Sequence, residues 1–309
     1  MLQTRFYKII LYLLITSGLQ ACGQNKPTET MIKELLGVKR YEQHPEYRLE
    51  ISGMNCNWEI EVNDMPFDNY LGSQGGTSGD IPLNTRILSS GVQKIKLKVF
   101  PLEGEKLMSI YSTLRLVLSY YGDNKNYKGT MKELNNYSLP AALIKNLPYF
   151  EYEFSFDAKV PYTQVGWINS KDLSKVPDIK ERVISKLNEL TKIIHDRDNR
   201  TMFGLDLEKR KNRYESFYAS DSSIIEDIKE GDFNNDFSDL HDCHYLPSEL
   251  GELVYYANNR VVSIRHRGKT SYNYGIQING LDDLNKVSRL SYQFLFHSPN
   301  GTNELKIIR

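Results

Sequence analysis

Cysteine is scarce in this sequence: Cys22, Cys56 and Cys243 are the only three in 309 residues. So few thiols exclude a disulfide-stapled mini-domain and a cysteine-rich zinc module, since the first needs several bridges and the second four closely spaced ligands. An excess of charge is missing as well. Lys and Arg total 39 and Asp and Glu total 39, whereas a nucleic-acid-binding chain carries a basic face or stripe, so nucleic acid is excluded as a partner. Long hydrophobic runs are lacking too, because Ile9 to Ile15 falls far short of the roughly 20 residues a spanning helix needs. Catalytic signatures complete the absences. The chain has no Gly-x-Ser-x-Gly elbow, no His-Glu-x-x-His zinc helix and no dinucleotide fingerprint, and nothing in it asks for a cofactor or a metal.

What is present begins at the N-terminus. Arg5 and Lys8 give a positive start, Ile9 to Ile15 a short apolar core, and Leu19-Gln20-Ala21-Cys22 a small-residue cleavage site, so residues 1–21 read as an export signal. The Leu-x-Ala-Cys tetrad resembles the lipobox of bacterial lipoproteins, although Gln20 stands where a small or hydroxylated residue is usual. The resemblance implies diacylation of the Cys22 thiol, cleavage just before it and acylation of the new amino terminus. Several acyl chains, at ~0.8 kcal/mol per buried methylene, hold a protein durably on a membrane. The expected location is the bacterial cell envelope, anchored to the outer membrane and facing the periplasm. Loss of Arg5 and Lys8 with the signal would leave 37 basic residues against 39 acidic ones, so attachment rests on lipid rather than on charge. In an oxidising compartment Cys56 and Cys243 can pair as a disulfide or stay apart as two buried thiols; the sequence leaves both open.

Residues 22–45 read as a tether and a short helix. Gly23 to Thr28 is polar and contains Pro27, and Glu29 to Gly37 can set Met31, Leu35 and Leu36 on one side. From Tyr47 apolar residues recur at every second position. Tyr47, Leu49, Ile51; Trp58, Ile60, Val62; Ile95, Leu97, Val99; Leu114, Leu116, Leu118; and Phe150, Tyr152, Phe154, Phe156 each alternate with polar neighbours. Strands with one wet face, punctuated by Gly, Pro and Asn, predict an antiparallel β-sandwich over residues 46–160. Its pattern, with the Pro82-Leu83-Asn84 turn, Leu88 and Gly91, resembles cell-envelope immunoglobulin-like modules. The Gly-rich residues 71–80 lack a phosphate-loop ending and read as a flexible hairpin connection. After the interruptions at Pro161, Gly166 and Pro177 the period changes. Ile179, Val183, Ile184, Leu187, Leu190 and Ile194 predict a long helix to His195, with Asp178 and Glu181 at capping-box spacing. Lys209, Arg210, Lys211 and Arg213 read as the solvated face of a shorter helix. Runs at Leu253–Tyr256, Val261–Ile264, Tyr272–Ile278, Leu290–Phe296 and Leu305–Ile308 predict an antiparallel sheet. Residues 161–309 are therefore expected to form an α+β domain. That order of elements is similar to the cone-shaped fold of the ketosteroid-isomerase superfamily, which implies a pocket inside the sheet.

Candidate site residues are few. Asp221 to Asp242 carries eight carboxylates against Lys229 alone; its Asp232, Asn234, Asp236, Ser238 alternation lacks the glycine and the closing Glu of a calcium loop, so a solvated acidic loop is expected. His241-Asp242-Cys243-His244 has no second ligand cluster to complete a zinc site. His195, on the last turn of its helix, suits a capping role. His297, Tyr292 and Asp282 fall on or beside the late strands, where an enzyme or small-molecule carrier with a pocket in the C-terminal cone-like domain would use them. The expectation favoured by the missing motifs is a lipid-anchored envelope binding protein without catalytic activity. Its partner would be another protein, since 21 tyrosines suit contact surfaces; an immunity-type lipoprotein that neutralises an antibacterial effector is the concrete version. The anchor is directly testable. The mature protein is expected to partition into detergent and to begin at an acylated Cys22, and Cys22→Ala to release it or leave an uncut precursor; an intact mass showing an unmodified Cys22 would remove the anchor.

Overall fold

Alternation decides the first half of the molecule. In β1 (Glu46–Met54) Tyr47, Leu49 and Ile51 are buried while Glu50 and Ser52 are exposed. The same rule places Trp58, Ile60 and Val62 of β2 (Asn57–Val62) inside. These observations come from a computed structural model that describes residues 26–73, 76–125, 131–231, 240–266 and 275–308. Cys22, residues 1–21, Asp232, Asp236, Asp239 and the start of the run expected at Tyr272 lie outside them. Two antiparallel four-stranded sheets result. One has the order β4 (Gly76–Pro82), β1, β6 (Thr113–Tyr121), β7 (Met131–Ser138); the other is β3 (Met65–Tyr70), β2, β5 (Gly91–Phe100), β8 (Phe150–Ala158). Their buried faces share one hydrophobic cluster in which Leu49, Ile51, Leu116 and Leu118 of the first sheet join Trp58, Ile60, Leu97 and Val99 of the second. Each such side chain contributes roughly 1.5–3 kcal/mol by leaving water.

The outer face of the second sheet is a charge ladder. Lys96 stands between Glu61 and Glu153, and Lys98 between Glu59 and Glu151, with Lys98 Nζ 2.5 Å from Glu61 Oε1 and Lys94 Nζ 3.0 Å from Glu153 Oε2. Opposite charges set directly across strands favour this register over a slipped one.

Glycine misleads at residues 71–80. Rather than a flexible connection, Gly76–Pro82 is an edge strand paired with β1 from Met54↔Gly76 to Arg48↔Pro82. A Cβ on Gly76 would lie 2.6 Å from the Gly53 carbonyl oxygen, so glycine is required here for close backbone approach.

The second half is built on α3 (Ile179–His195), after the short α1 (Glu29–Leu36) and α2 (Ala141–Ile144). Its buried Val183, Leu187, Leu190 and Ile194 pack on Val262, Ile264, Ile276, Ile278, Phe294 and Phe296. Apart from Phe294, which lies between strands, those residues come from two antiparallel sheets, one ordered β13 (Val287–Tyr292), β12 (Ile276–Leu281), β9 (His241–Tyr245), the other β10 (Glu252–Tyr256), β11 (Val261–Arg265), β14 (Phe296–His297), β15 (Lys306–Ile307). The run expected at Leu290–Phe296 is thus divided between β13 and β14. Three expectations need correction. Asp178 sits at φ 56° and its side chain caps nothing, because a left-handed N-cap turns the carboxylate away from the first-turn amides. Three short helices follow: α4 (Asn199–Leu205), α5 (Leu207–Ser216) and α6 (Asp221–Glu230). Arg210 is no solvated cation. It is 5% exposed, donates from Nε to Asp206 Oδ1 at 2.7 Å and lies 3.7 Å from the Phe203 ring centre. The described start of the acidic run is helix rather than loop, since the Ser220 hydroxyl accepts from Ser223 N at 3.2 Å and Ile224 is buried.

The two halves are joined by packing. Met65 and Leu88 form a cluster with Trp167, Tyr256, Val261, Leu295 and Ile308, and Tyr162, Gln164, Trp167, Ser170 and Leu173 of the connecting segment are all buried. Asn84 completes the junction. Fully buried, it accepts from Tyr47 N at 3.0 Å, donates to Pro45 O at 2.9 Å and Ser216 O at 3.3 Å, and its carbonyl takes the Tyr162 hydroxyl at 3.1 Å. Asn84→Ala would orphan Tyr47 N and Ser216 O in the interior, while Pro45 O keeps the Tyr218 hydroxyl at 3.0 Å. At about 1–3 kcal/mol per buried unsatisfied group, the expected loss is roughly 3–5 kcal/mol, read as a lower urea midpoint at unchanged slope.

Candidate functional site

The two-sheet body ends in loops at both poles, and the poles differ. Where β1 begins, Tyr41, His44, Tyr162 and Tyr218 pack ring against ring at 5.1 to 6.3 Å between centroids, and the three tyrosine hydroxyls are taken by Glu215, Asn84 O and Pro45 O. Where β1 ends, the β1–β2 turn and the connections 101–112 and 139–149 meet. Met108 N donates to Leu147 O at 2.9 Å and Asn146 N to Met108 O at 3.1 Å. Asn55 ties the turn to them, giving Nδ2 to Tyr111 O at 3.2 Å and taking the Ser112 hydroxyl on its carbonyl at 2.8 Å. Met108 and, from α2, Ile144 are sunk into the core. Around these fixed points Met54, Leu107, Ile110, Tyr111, Leu143, Leu147 and Tyr149 are exposed. Tyr111 is 70% and Leu143 69% open to solvent, so folding does not account for them. Large apolar side chains gathered on one surface mark a contact site, and holding their loops rigid in advance lowers the ordering cost of binding.

No family model matches this chain, and no curated protein or solved structure is significantly similar to it. Chemistry alone therefore identifies the site. The Tyr149 ring lies 5.4 Å from that of Phe100, tilted by 52°, and its hydroxyl donates to Glu151; burial first and this bond second raise its pKa, which keeps the phenol protonated. The surface offers apolar area with a few hydrogen-bonding tips. Sequence reasoning missed this pole because Leu107-Met108-Ser109-Ile110-Tyr111 follows neither a helical nor a strand period. The available signal was the run itself, five residues between Lys106 and Ser112 with no charge and only the Ser109 and Tyr111 hydroxyls, too apolar for an ordinary loop.

The residues singled out from sequence are dispersed. Cys56 and Cys243 are free thiols. Cys56 lies in the core of the first half, where burial pushes its thiol up to about 11, and Cys243 packs against the core of the second. His195 is exposed and faces Asp196 at 3.0 Å. Among the described residues no three His, Cys, Asp or Glu side chains are placed to hold a metal, and no helix is long and apolar enough to cross a membrane. Asp282 is committed to its own turn, its Oδ1 accepting from the amides of Leu284 and Lys286 at 2.9 and 2.8 Å. Tyr292 stacks on Phe294 at 6.4 Å. His297 is buried with its Nδ1 2.8 Å from Ser170 Oγ, so it fastens the connecting segment to β14. Asp282 and His297 are each engaged elsewhere and do not form a catalytic pair.

Burial, with Lys306 adding to it, pushes His297 down from 6.5 to about 4. Between those values the unfolded chain binds a proton that the folded chain refuses. Its contribution to stability is therefore complete above pH 6.5 and is lost as the pH falls toward 4, by roughly 3 kcal/mol at most. His297→Asn is expected to flatten this part of the pH dependence of the urea midpoint. Identical acid limbs in parent and variant would show that His297 is not responsible.

Proposed function

We propose that this chain is a lipid-anchored binding protein of the bacterial cell envelope, without catalytic activity, that presents its β1-distal loop pole to a protein partner. The observation that carries the reading is the exposed set of Met54, Leu107, Ile110, Tyr111, Leu143, Leu147 and Tyr149 on loops pinned by backbone bonds. Tyrosine with aliphatic neighbours is the composition of an interface centre rather than of an idle surface. The anchor enters from the lipobox-like Cys22, and the concrete version is an immunity-type protein that occludes the working surface of an antibacterial effector. Such a task requires a firm apolar plug and no chemistry of its own.

The finer reading of the first half supports the same surface. In an immunoglobulin variable domain the sheet C′-C-F-G faces a sheet in which B lies between E and A. The orders β3-β2-β5-β8 and β4-β1-β6 fit those places, with β2 as strand C bearing the buried Trp58 and the β6–β7 hairpin inserted between F and G. On that correspondence the apolar pole coincides with the end that carries recognition loops in variable domains.

The test is capture of the full-length lipidated protein from its own cells, comparing the parent with an Ile110→Asp, Leu143→Asp double variant. Both side chains are exposed, so the thermal midpoint should be almost unchanged, while a partner held by the parent should be lost or bound at least roughly tenfold more weakly. Retention of the same partner at the same affinity would remove the pole from the interface.

A further inference from the structure

The second half has an unfinished sheet edge. β15 is the outer strand of its sheet. Ile308 donates its amide inward to Leu295 O at 2.8 Å, and Lys306 faces His297 in register. Backbone groups alternate sides along an antiparallel strand, so the N–H and C=O of Leu305 and Ile307 point away from β14. No described residue bonds to them. These two residues are nevertheless only 7% and 4% exposed, a setting in which a backbone group without a partner is costly.

The edge borders a groove. Residues 304–307 line one side of a space of about 580 Å³, with α1 and the α4–α5 corner opposite. Leu205, Leu207, Leu305 and Ile307 give it an apolar floor. Its rim is charged and partly neutralised, since Lys211 pairs with Glu34 at 3.4 Å and Lys186 with Glu189 at 3.0 Å. Among the described residues, Glu208 and Glu304 have no cationic partner within salt-bridge distance, and Lys306 is the one lining cation left beside them. Over the lining as a whole three Glu balance three Lys, but Glu208 and Glu304 are the carboxylates left without a cation of their own.

We propose that this groove binds an extended segment of a partner protein, which pairs with Leu305 and Ile307 as an added strand, sets apolar side chains on the floor and directs a basic side chain to Glu208 and Glu304. Strand addition takes its affinity from main-chain bonds and its selectivity from alternate side-chain pockets. Here the open edge supplies the first, and the apolar floor with the unpaired Glu208 and Glu304 carboxylates the second. The site lies on a different half from the loop pole and does not depend on it.

Hydrogen exchange of the full-length chain in detergent, with the capped peptide Val-Lys-Val-Lys-Val as probe, tests the proposal. The amides of Leu305 and Ile307 are expected to exchange readily in the free protein and to slow by roughly tenfold or more with saturating peptide. The acidic counterpart Val-Glu-Val-Glu-Val should give no protection, and added salt should weaken the basic peptide. Leu305→Pro deletes one outward donor without touching the ladder, as proline is tolerated on an edge, and is expected to abolish protection at Ile307. Because that change also trims a buried side chain, the double variant Glu208→Lys, Glu304→Lys serves as a second arm. It should keep the parent's melting temperature and bind the basic peptide at least roughly tenfold more weakly. The proposal is overturned by unchanged exchange at both amides, by equal binding of the acidic peptide, or by full protection of the free chain, which would mean that its own residues or a second copy already fill the edge.

Discussion

The carboxamide of Asn84 is the constraint on which the architecture turns. A fully buried carboxamide must satisfy its oxygen and its two N–H donors, and here Oδ1 accepts from Tyr47 N at the start of β1 while Nδ2 donates to Pro45 O and to Ser216 O at the end of α5; the backbone carbonyl of the same residue takes the Tyr162 hydroxyl of the connecting segment. Three parts of the chain far apart in sequence are thus held in one register. Apolar packing alone would tolerate sliding. A set of directional bonds in a dry interior does not, because any shift leaves groups unpaired. The tyrosines around it reinforce this: Tyr218 gives its hydroxyl to Pro45 O at 3.0 Å, and its ring lies 6.1 Å from that of Tyr162. The helical segment is therefore seated on the sheets as part of the same solid.

Where one physical preference dominates, the sequence is legible. The strands around Leu49, Ile60, Leu97, Leu116 and Phe154 follow from a period of two, and α3 from the recurrence of Val183, Leu187, Leu190 and Ile194. Each of those patterns has one wet side and one dry one. Legibility fails where a residue serves a purpose other than its usual one. Gly76 looks like flexibility but allows β4 to lie close against β1. Asp221, Glu226 and Asp227 look like a solvated loop, yet Ser220 and Ile224 make the segment a helix. Arg210 looks like a surface charge and is instead a packed plane between Asp206 and the Phe203 ring.

The candidate site was the least legible part, for a related reason. A contact surface made of loops from three connections has no period and no fixed spacing. Leu107, Tyr111, Leu143 and Tyr149 become one surface only after β5, β6, β7 and β8 have been paired. His297 drew attention for its chemistry, yet its bond to Ser170 gives it a structural duty. Late strands attract functional guesses because histidine is scarce. The same scarcity makes it a good buried fastener, since a neutral imidazole bonds at one nitrogen while its ring packs.

β1 has a mechanical consequence. On the anchored reading, the chain is held at its N-terminus and loaded at the opposite pole, so tension runs along this strand from Glu46 to Met54. It is paired on one side with β4 and on the other with β6, across Arg48↔Pro82 to Met54↔Gly76 and Glu46↔Tyr121 to Met54↔Thr113. A pull parallel to the strand strains those hydrogen bonds in shear, all together, and cannot open them one at a time like a zipper. On that reading a partner tugging on the far loops would load every one of these bonds at once rather than in sequence.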